Sequence, residues 1–311
     1  MNATSAHDQI NVLRQLFGDN RAEWPSAQFE KLFVEPTYLS KLEAVRPCFL
    51  VGGRGTGKTT SLQSLRYDST LQRLQSRGQT FDDQEHLGVL VRMNKNRVRA
   101  FQRGGIGEER WSQLFAHYFN LIVSLELTHL AMWLEEQTAA RLGTDALSSI
   151  ATELGLEASA DIEDLESKIK ESISKLQLRI NNPALDSPIL LSIAESPLRT
   201  FVEAMNAAGM LGTRVVFCCI DEYENLLDYQ QAIINTYIKH AEPPLSYKVG
   251  VRKSGLRNRR TLDSQDVLQT PDDFAEIEVA EEGFDYFARA VDELRLKYAR
   301  SRDVRVPEKL H

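Results

Sequence analysis

One stretch, Cys48 to Thr60, constrains the fold of this chain more than any other part of it. The stretch reads CFLVGGRGTGKTT, and Gly52, Gly57, Lys58 and Thr59 fill every fixed position of the pattern G-x-x-x-x-G-K-[ST]. The apolar residues before Gly52 are typical of a short strand, and the residues after Gly57 are typical of a helix. A strand, a glycine-rich turn and a helix in this order predict a phosphate-binding loop.

The residue types in this loop suit the binding of a nucleoside triphosphate. Glycines let the backbone turn sharply and bring its N–H groups close to phosphate oxygens. We expect Lys58 to reach the β- and γ-phosphates and the Thr59 hydroxyl to coordinate Mg²⁺, at a helix N-terminus that also attracts anions. The residues expected to contact the nucleotide are Gly52, Gly53, Arg54, Gly55, Thr56, Gly57, Lys58, Thr59 and Thr60.

A second apolar run ends in two carboxylates. Residues 213–222 read TRVVFCCIDE, which is typical of a strand buried on both faces. Downstream of a phosphate-binding loop, Asp221 is expected to hold Mg²⁺ directly or through water. Glu222 is expected to polarise the water that attacks the γ-phosphate.

The sequence around these motifs distinguishes between classes of nucleotide-binding protein. A GTPase would carry D-x-x-G after the magnesium strand, but residues 221–224 read DEYE, and the nearest match to N-K-x-D, at residues 94–97, lacks its aspartate. The serine-glycine-glycine signature of ABC-type ATPases is absent before Asp221, and small-molecule kinases usually lack a base at the position of Glu222. The motifs therefore predict ATP hydrolysis with a glutamate as the base.

The rest of the chain supplies further elements of an α/β protein. The apolar runs LGVLVRM, LSYKVGV and AEIEVA predict three more strands, starting at Leu87, Leu245 and Ala275. Apolar residues at three- and four-residue spacing predict one helix over residues 59–74. Similar patterns predict two long helices, over residues 108–141 and 161–180.

These patterns divide the chain into three expected parts. Residues 1–47 form an N-terminal helical segment that contributes to the nucleotide pocket. Residues 48–280 form the ATPase core, with a helical insertion at about 104–210, and residues 281–311 form a C-terminal helix. Residues 33–38 either line the adenine or only pack in the core, and the sequence leaves both open.

Two basic stretches interrupt an otherwise acidic chain. The net charge of −7 argues against a surface that is basic throughout. Arg92–Arg103 and Arg252–Arg260 nevertheless concentrate arginines and lysines without an acid among them. Such stretches are solvated loops or contacts for nucleic acid.

Other features bear on location and redox chemistry. No apolar run approaches the ~18 residues that cross a bilayer, and the polar N-terminus lacks the build of a signal peptide. We therefore expect a cytoplasmic protein without membrane contact. Cys48, Cys218 and Cys219 lie in apolar strand segments and form no C-x-x-C pair, which favours buried, unpaired thiols.

The motifs GGRGTGKTT and CCIDEYENL, with the strands YKVGV and AEIEVA, resemble the AAA+ ATPases. Within that group they look most like the origin-recognition and replication-initiator branch and its signalling relatives. The resemblance spans about residues 29–280 and implies a P-loop NTPase fold. That fold has a five-stranded parallel sheet of order 5-1-4-3-2, sandwiched by helices.

The resemblance also implies ATP bound at a subunit boundary, with an arginine contributed by a neighbouring subunit. Either Arg252 or Ser254 stands where the sensor of the γ-phosphate is expected, after the fourth strand. Arg257, Arg259 and Arg260 are the candidates for the arginine that acts on a neighbour. The helical lid of such proteins is minimal here, or this chain is part of something longer.

The sequence leaves three functions open. The first is an ATP-hydrolysing switch in a homo-oligomer or hetero-assembly. The second is an ATP-gated scaffold that binds an effector protein with little hydrolysis, and the third is an initiator-like DNA-binding ATPase. Bacterial ATPases of the branch that the chain resembles often accompany effector proteins in antiviral defence, so that setting is expected by analogy.

Overall fold

A computed structural model of the chain describes residues 33, 35–102, 106–182, 189–263 and 265–279. Residues 1–32 of the predicted N-terminal helical segment lie outside the described residues. The C-terminal helix predicted at residues 281–311 lies outside them as well.

Five parallel strands form one sheet, and their order is β2-β3-β4-β1-β5. Read from the other side, this is the order 5-1-4-3-2, so the predicted α/β fold and its strand order are confirmed. The central strands are apolar and almost completely buried, because helices cover both faces of the sheet. The strands are β1 (Cys48–Gly52), β2 (His86–Arg92), β3 (Val215–Asp221), β4 (Leu245–Val251) and β5 (Ala275–Val279).

Nine α-helices are found among the described residues. They are α1 (Leu39–Leu42), α2 (Lys58–Ser64), α3 (Tyr67–Gln75), α4 (Lys95–Val98), α5 (Glu108–Gln137), α6 (Thr144–Glu153), α7 (Ile162–Asn181), α8 (Ser196–Ala207) and α9 (Asp228–Lys239). Three short 3₁₀ turns, Phe81–Asp83, Arg99–Gln102 and Tyr223–Asn225, complete the regular structure of this part of the chain.

Five helices, α4 to α8, lie between β2 and β3, and the last four of them fall within residues 104–210, where the spacing of apolar residues predicts helices. The longest, α5, packs against β2, α7, α8 and α9. In α7, the Asp161 side chain caps the helix by accepting a hydrogen bond from the backbone N–H of Asp164 (2.8 Å). The apolar residues of these helices and of one face of the sheet belong to a single core.

The opposite face of the sheet is covered by α1 and α2, through a smaller cluster that includes Leu42, Leu62 and Phe217. Cys48 and Cys219 also belong to that cluster, and all three cysteines are buried free thiols, as predicted. Within the described residues, no helix is long and apolar enough to span a bilayer.

The prediction of a single helix over residues 59–74 is wrong, because two helices, α2 and α3, occupy this region. The break falls at Arg66, whose backbone is extended. The carbonyl of Leu65 accepts a hydrogen bond from the backbone N–H of Gly88 in β2 (3.1 Å). A Cβ atom on Gly88 would lie 2.2 Å from that carbonyl oxygen, so only glycine lets the strand approach the break.

Candidate nucleotide-binding site

The carboxyl ends of three adjacent strands meet at one edge of the sheet. Val51 of β1 pairs in register with Val251 of β4, and Ile220 of β3 pairs with Val249. Because these strands are parallel, the loop after β1 and the residues after β3 and β4 emerge at the same edge. In open α/β sheets this is the edge at which ligands bind.

The loop between β1 and α2 has the tight backbone that its glycines predict. Gly55 and Gly57 have φ angles of 79° and 87°, in the left-handed region that favours glycine. Gly52 is required for a different reason, since a Cβ atom there would lie 2.7 Å from Thr56 Oγ1. The Thr56 hydroxyl in turn donates to the carbonyl of Gly53 (3.0 Å), which closes the loop on itself.

The amino group of Lys58 lies within this loop. Its Nζ donates to the carbonyl oxygens of Gly52 (3.0 Å) and Gly53 (2.5 Å). Burial lowers the pKa of Lys58, and the nearby carboxylates of Glu224 and Asp221 partly oppose that effect. The loop therefore holds a half-buried ammonium group close to two acidic side chains.

Thr59, the second residue of α2, lies against the end of β3. Its hydroxyl donates to Asp221 Oδ2 at 2.8 Å. Asp221 is only 3 % exposed, and its other oxygen accepts a hydrogen bond from the backbone N–H of Glu222 (2.9 Å). A hydroxyl and a carboxylate in contact are oxygen ligands of the kind that Mg²⁺ prefers, so the residues fit that ion.

Glu222 follows Asp221 in a left-handed conformation, with φ 59° and ψ 35°. This conformation is rare for residues other than glycine and is found at functional sites. Its Oε2 accepts a hydrogen bond from Asn225 Nδ2 (3.0 Å), and its Oε1 lies 3.6 Å from Arg92 Nε. The side chain is 38 % exposed, so water has access to the carboxylate.

Arg92 is the last residue of β2 and pairs in register with Asp221. Its Nε lies 3.7 Å from Asp221 Oδ2 as well as near Glu222. The sequence placed Arg92 at the head of a basic stretch, whereas the structure places it beside the two carboxylates. The signal in the sequence is the position of Arg92 at the end of a strand. Because that strand lies next to β3, Arg92 ends at the same edge of the sheet as Asp221.

Arg252 follows β4 and reaches the same edge of the sheet. Its Nε lies 2.7 Å from Glu224 Oε1, and its backbone N–H donates to Glu224 Oε2 (3.3 Å). The sequence did not single out Glu224, although it is the charged group that most raises the pKa of Lys58. Ser254, the other candidate sensor, is exposed two residues further along.

The three remaining arginines of this stretch differ in their surroundings. Arg257 donates to Asp228 Oδ1 (3.1 Å) and to the carbonyls of Glu224 (2.9 Å) and Leu226, so its guanidinium is engaged within its own chain. Arg259 lies 3.5 Å from Glu276 Oε2 and 5.7 Å from the Phe274 ring centroid. Arg260 is exposed and forms no ion pair with any described residue.

The basic stretch at residues 92–103 begins with a cap. The Asn94 side chain accepts hydrogen bonds from the backbone N–H groups of Asn96 and Arg97, which starts α4. Lys95, Arg97 and Arg99 are exposed there, while Arg103 lies outside the described residues.

By contrast, most charges of the second basic stretch face acids that are distant in sequence. Arg252, Lys253, Arg257 and Arg259 pair with Glu224, Glu278, Asp228 and Glu276.

The segment before the loop also contacts α2. The Tyr38 hydroxyl and the Ser61 hydroxyl are hydrogen-bonded at 2.9 Å, and burial raises the pKa of Tyr38. This contact brings the described part of residues 33–38 next to the helix that follows the phosphate-binding loop.

Comparisons with known proteins add one finding. A family model described as ORC-CDC6-like matches residues 15–310. Searches of curated proteins and of solved structures gave no significant match.

Proposed function

The chain belongs to the ORC-CDC6-like family, and we propose on that premise that it binds ATP with Mg²⁺ and hydrolyses the nucleotide as a molecular switch. Family membership suggests an ATPase with an initiator-like role. We add to this the hydrolysis of ATP, the Mg²⁺ ion and the roles of individual residues.

The contact between Thr59 and Asp221 carries this proposal. The two residues are 162 positions apart in the chain, and their side chains meet beside a loop built for anions. Mg²⁺, when bound, supplies positive charge to the phosphate oxygens. Thr59 and Asp221 are the residues that would hold it.

The side chains around this contact have separate roles. Lys58 balances the charge of the β- and γ-phosphates, because its ammonium group already lies within the loop. Glu222 accepts a proton from the attacking water as general base. Arg252, held by Glu224, senses the γ-phosphate from the end of β4.

We further propose that catalysis requires assembly of several subunits. Arg260 is exposed and is not neutralised by any described residue, which suits a guanidinium that acts on a neighbouring subunit. Arg259, beside Glu276, is the second candidate. Hydrolysis would then depend on oligomerisation.

The decisive experiment measures ATP binding and phosphate release by the unaltered chain and two variants. Lys58→Ala is expected to lose ATP affinity. Glu222→Gln is expected to bind ATP normally and to lower kcat by about 100-fold or more, because the general base is gone. Equal phosphate release by the Glu222→Gln variant and the unaltered chain would remove Glu222 from the role of general base. Phosphate release by the unaltered chain no faster than the uncatalysed background would refute the proposed hydrolysis. The particle mass, with and without a non-hydrolysable ATP analogue, tests assembly.

A second candidate function is DNA binding through Lys95, Arg97 and Arg99, which the exposure of all three side chains favours. Arg252–Arg260 is a weaker candidate, because acids face most of its charges. Replacing Lys95 and Arg97 by alanine should then weaken duplex binding and reduce its dependence on salt. Duplex binding that is absent, or insensitive to salt, would exclude this function.

A third candidate is an ATP-gated scaffold for an effector protein, in the setting of antiviral defence. Leu190 and Ile193, which are 72 % and 80 % exposed, line a groove of about 580 Å³ beside the start of α5, a surface suited to a partner. A stable oligomer with bound ATP and negligible phosphate release would favour this function over hydrolysis.

A further inference from the structure

The Asn225 side chain lies between the Glu222 carboxylate and the end of β2. Its amide nitrogen donates to Glu222 Oε2 (3.0 Å) and to the carbonyl oxygen of Met93 (2.9 Å). An amide nitrogen has two N–H bonds, and these two acceptors use both of them. With its nitrogen and oxygen exchanged, the amide would set its oxygen against two other oxygens, so its orientation is fixed.

The backbone around Glu222 is held from both sides as well. The N–H of Glu222 donates to Asp221 Oδ1 (2.9 Å), and the N–H of Asn225 donates to the carbonyl of Glu222 (2.9 Å). These bonds stabilise the left-handed conformation of Glu222, which is otherwise unfavourable. Asn225 thus contacts Glu222 through both its backbone and its side chain.

A carboxylate that is 38 % exposed would otherwise sample several rotamers. Two groups restrict it, because Asn225 binds Oε2 and Arg92 lies 3.6 Å from Oε1. The carboxylate of the preceding residue, Asp221, is engaged by Thr59 and by the Glu222 backbone. Asn225 is therefore the neutral donor that fixes the carboxylate.

We propose that Asn225 is the positioning residue for Glu222. It fixes Oε2, so that Oε1 is the oxygen presented to the attacking water. This inference rests on the proposed function, because it concerns the base of the proposed hydrolysis. Asn225 acts through Glu222 and touches neither nucleotide nor water in this role.

The test compares kcat and KM of the full chain with those of Asn225→Ala and Asn225→Asp. Misplacing a catalytic group by about 1 Å costs up to about 100-fold, so we expect kcat to fall by about 10- to 100-fold. The KM for ATP should change by less than about threefold, because the phosphate-binding loop is untouched. Asn225→Asp keeps the shape of the side chain but cannot donate, so its kcat should fall at least as far.

Two controls separate positioning from general destabilisation. Asn120 is a buried asparagine whose amide donates to Ser192 Oγ (2.8 Å) and to the carbonyl of Ala194 (2.6 Å), on the helical insertion. Asn120→Ala should lower the Tm without changing kcat. In the Glu222→Gln background, single-turnover rates should change by less than about twofold when Asn225→Ala is added, because groups that act as a unit are not additive.

Normal kcat in both Asn225 variants, while Glu222→Gln abolishes turnover, overturns the positioning role and leaves the proposed function standing. Equal losses from Asn225→Ala in both backgrounds also overturn it, since the effect would not pass through Glu222. If the unaltered chain releases phosphate no faster than its Glu222→Gln variant, Glu222 is not the base and the positioning role falls with it. If the unaltered chain releases no phosphate above background, the proposed hydrolysis itself is refuted. If Asn225→Ala does not fold, the Asn225→Asp comparison decides.

Discussion

Asp221, at the end of β3, accepts a hydrogen bond from the Thr59 hydroxyl at the start of α2, with 2.8 Å between Oδ2 and Oγ1. The carboxylate is almost fully buried, and its other oxygen is occupied by the Glu222 backbone. The contact joins the phosphate-binding loop to the strand that carries the candidate base. Changes at Thr59 therefore probe the proposed Mg²⁺ site directly.

Thr59→Val should weaken ATP binding only when Mg²⁺ is present, because valine keeps the shape of threonine but lacks the oxygen ligand. A hydrogen bond to a charged group contributes about 1.5–3 kcal/mol, so a loss of about tenfold or more in affinity is expected. Thr59→Ser is the matched control and should keep the affinity within about threefold. Isothermal titration calorimetry with Mg²⁺ and with a chelator measures both. Tight Mg²⁺-dependent binding by Thr59→Val would contradict the assignment.

The sequence predicts those parts of the fold and of the candidate site whose residues are adjacent in the chain. The phosphate-binding loop and the Asp221-Glu222 pair are contiguous motifs, and the strand order follows from the resemblance that they establish. The sequence does not assign Arg92, Glu224 and Asn225 to the candidate site, because their contacts there join different strands and turns.

The basic stretch 252–260 illustrates the same limit. It lacks an acid in sequence, but the fold brings Glu224, Asp228, Glu276 and Glu278 against its charges. The break between α2 and α3 depends in the same way on a distant residue, Gly88 of β2. Patterns along the chain do not contain this information.

Gly88→Ala tests that explanation of the break. The new Cβ atom would lie 2.2 Å from the Leu65 carbonyl oxygen, and backbone has to move to relieve such a contact. We expect the free energy of unfolding to fall by about 3 kcal/mol, the upper part of the usual range for overpacking. Gly143→Ala is the control, since nothing lies within 4 Å of its Cβ position. Urea denaturation measures both, and equal effects would refute the steric explanation.

Because Lys248 is buried, we expect the free energy of unfolding to depend on pH. The residue is fully buried in β4, where its Nζ donates to the carbonyls of Ala44 and Arg46 and lies 4.3 Å from the Phe217 ring centroid. Burial lowers the pKa of Lys248 from 10.5 to about 8. Between those two values the unfolded chain holds the proton more tightly than the folded chain, so the contribution of Lys248 to stability rises with pH.

Comparison with Lys248→Met isolates this effect, because the other titrating groups are present in both chains. The free energy of unfolding of the unaltered chain, relative to the variant, should increase as pH rises from about 8 towards 10. Urea denaturation at several pH values provides the measurement. A difference that stays constant, or that decreases with pH, would show that the lysine is not held as an unfavourably buried charge.

Arg260 is the first candidate for an arginine that acts on a neighbouring subunit. If its guanidinium acts on the nucleotide of a neighbour, Arg260→Ala should bind ATP normally but lose turnover, since such arginines contribute about 10³-fold or more to phosphoryl transfer. Arg141→Ala is the matched control, because Arg141 is an exposed arginine, with a side chain 75 % exposed, shortly after α5. Its turnover should be unchanged.

Mixing two inactive variants distinguishes action on a neighbour from action within one chain. Lys58→Ala subunits keep Arg260 but cannot bind ATP, whereas Arg260→Ala subunits bind ATP but lack the guanidinium. With equal amounts and random assembly, about a quarter of the interfaces combine a working nucleotide site with a working arginine, so about a quarter of the unaltered rate should return. Restoration occurs only if the arginine crosses the interface. A mixture that remains inactive although mixed oligomers form would place the action of Arg260 within its own chain. An Arg260→Ala variant that is active alone would assign Arg260 to the surface and leave Arg259 as the candidate.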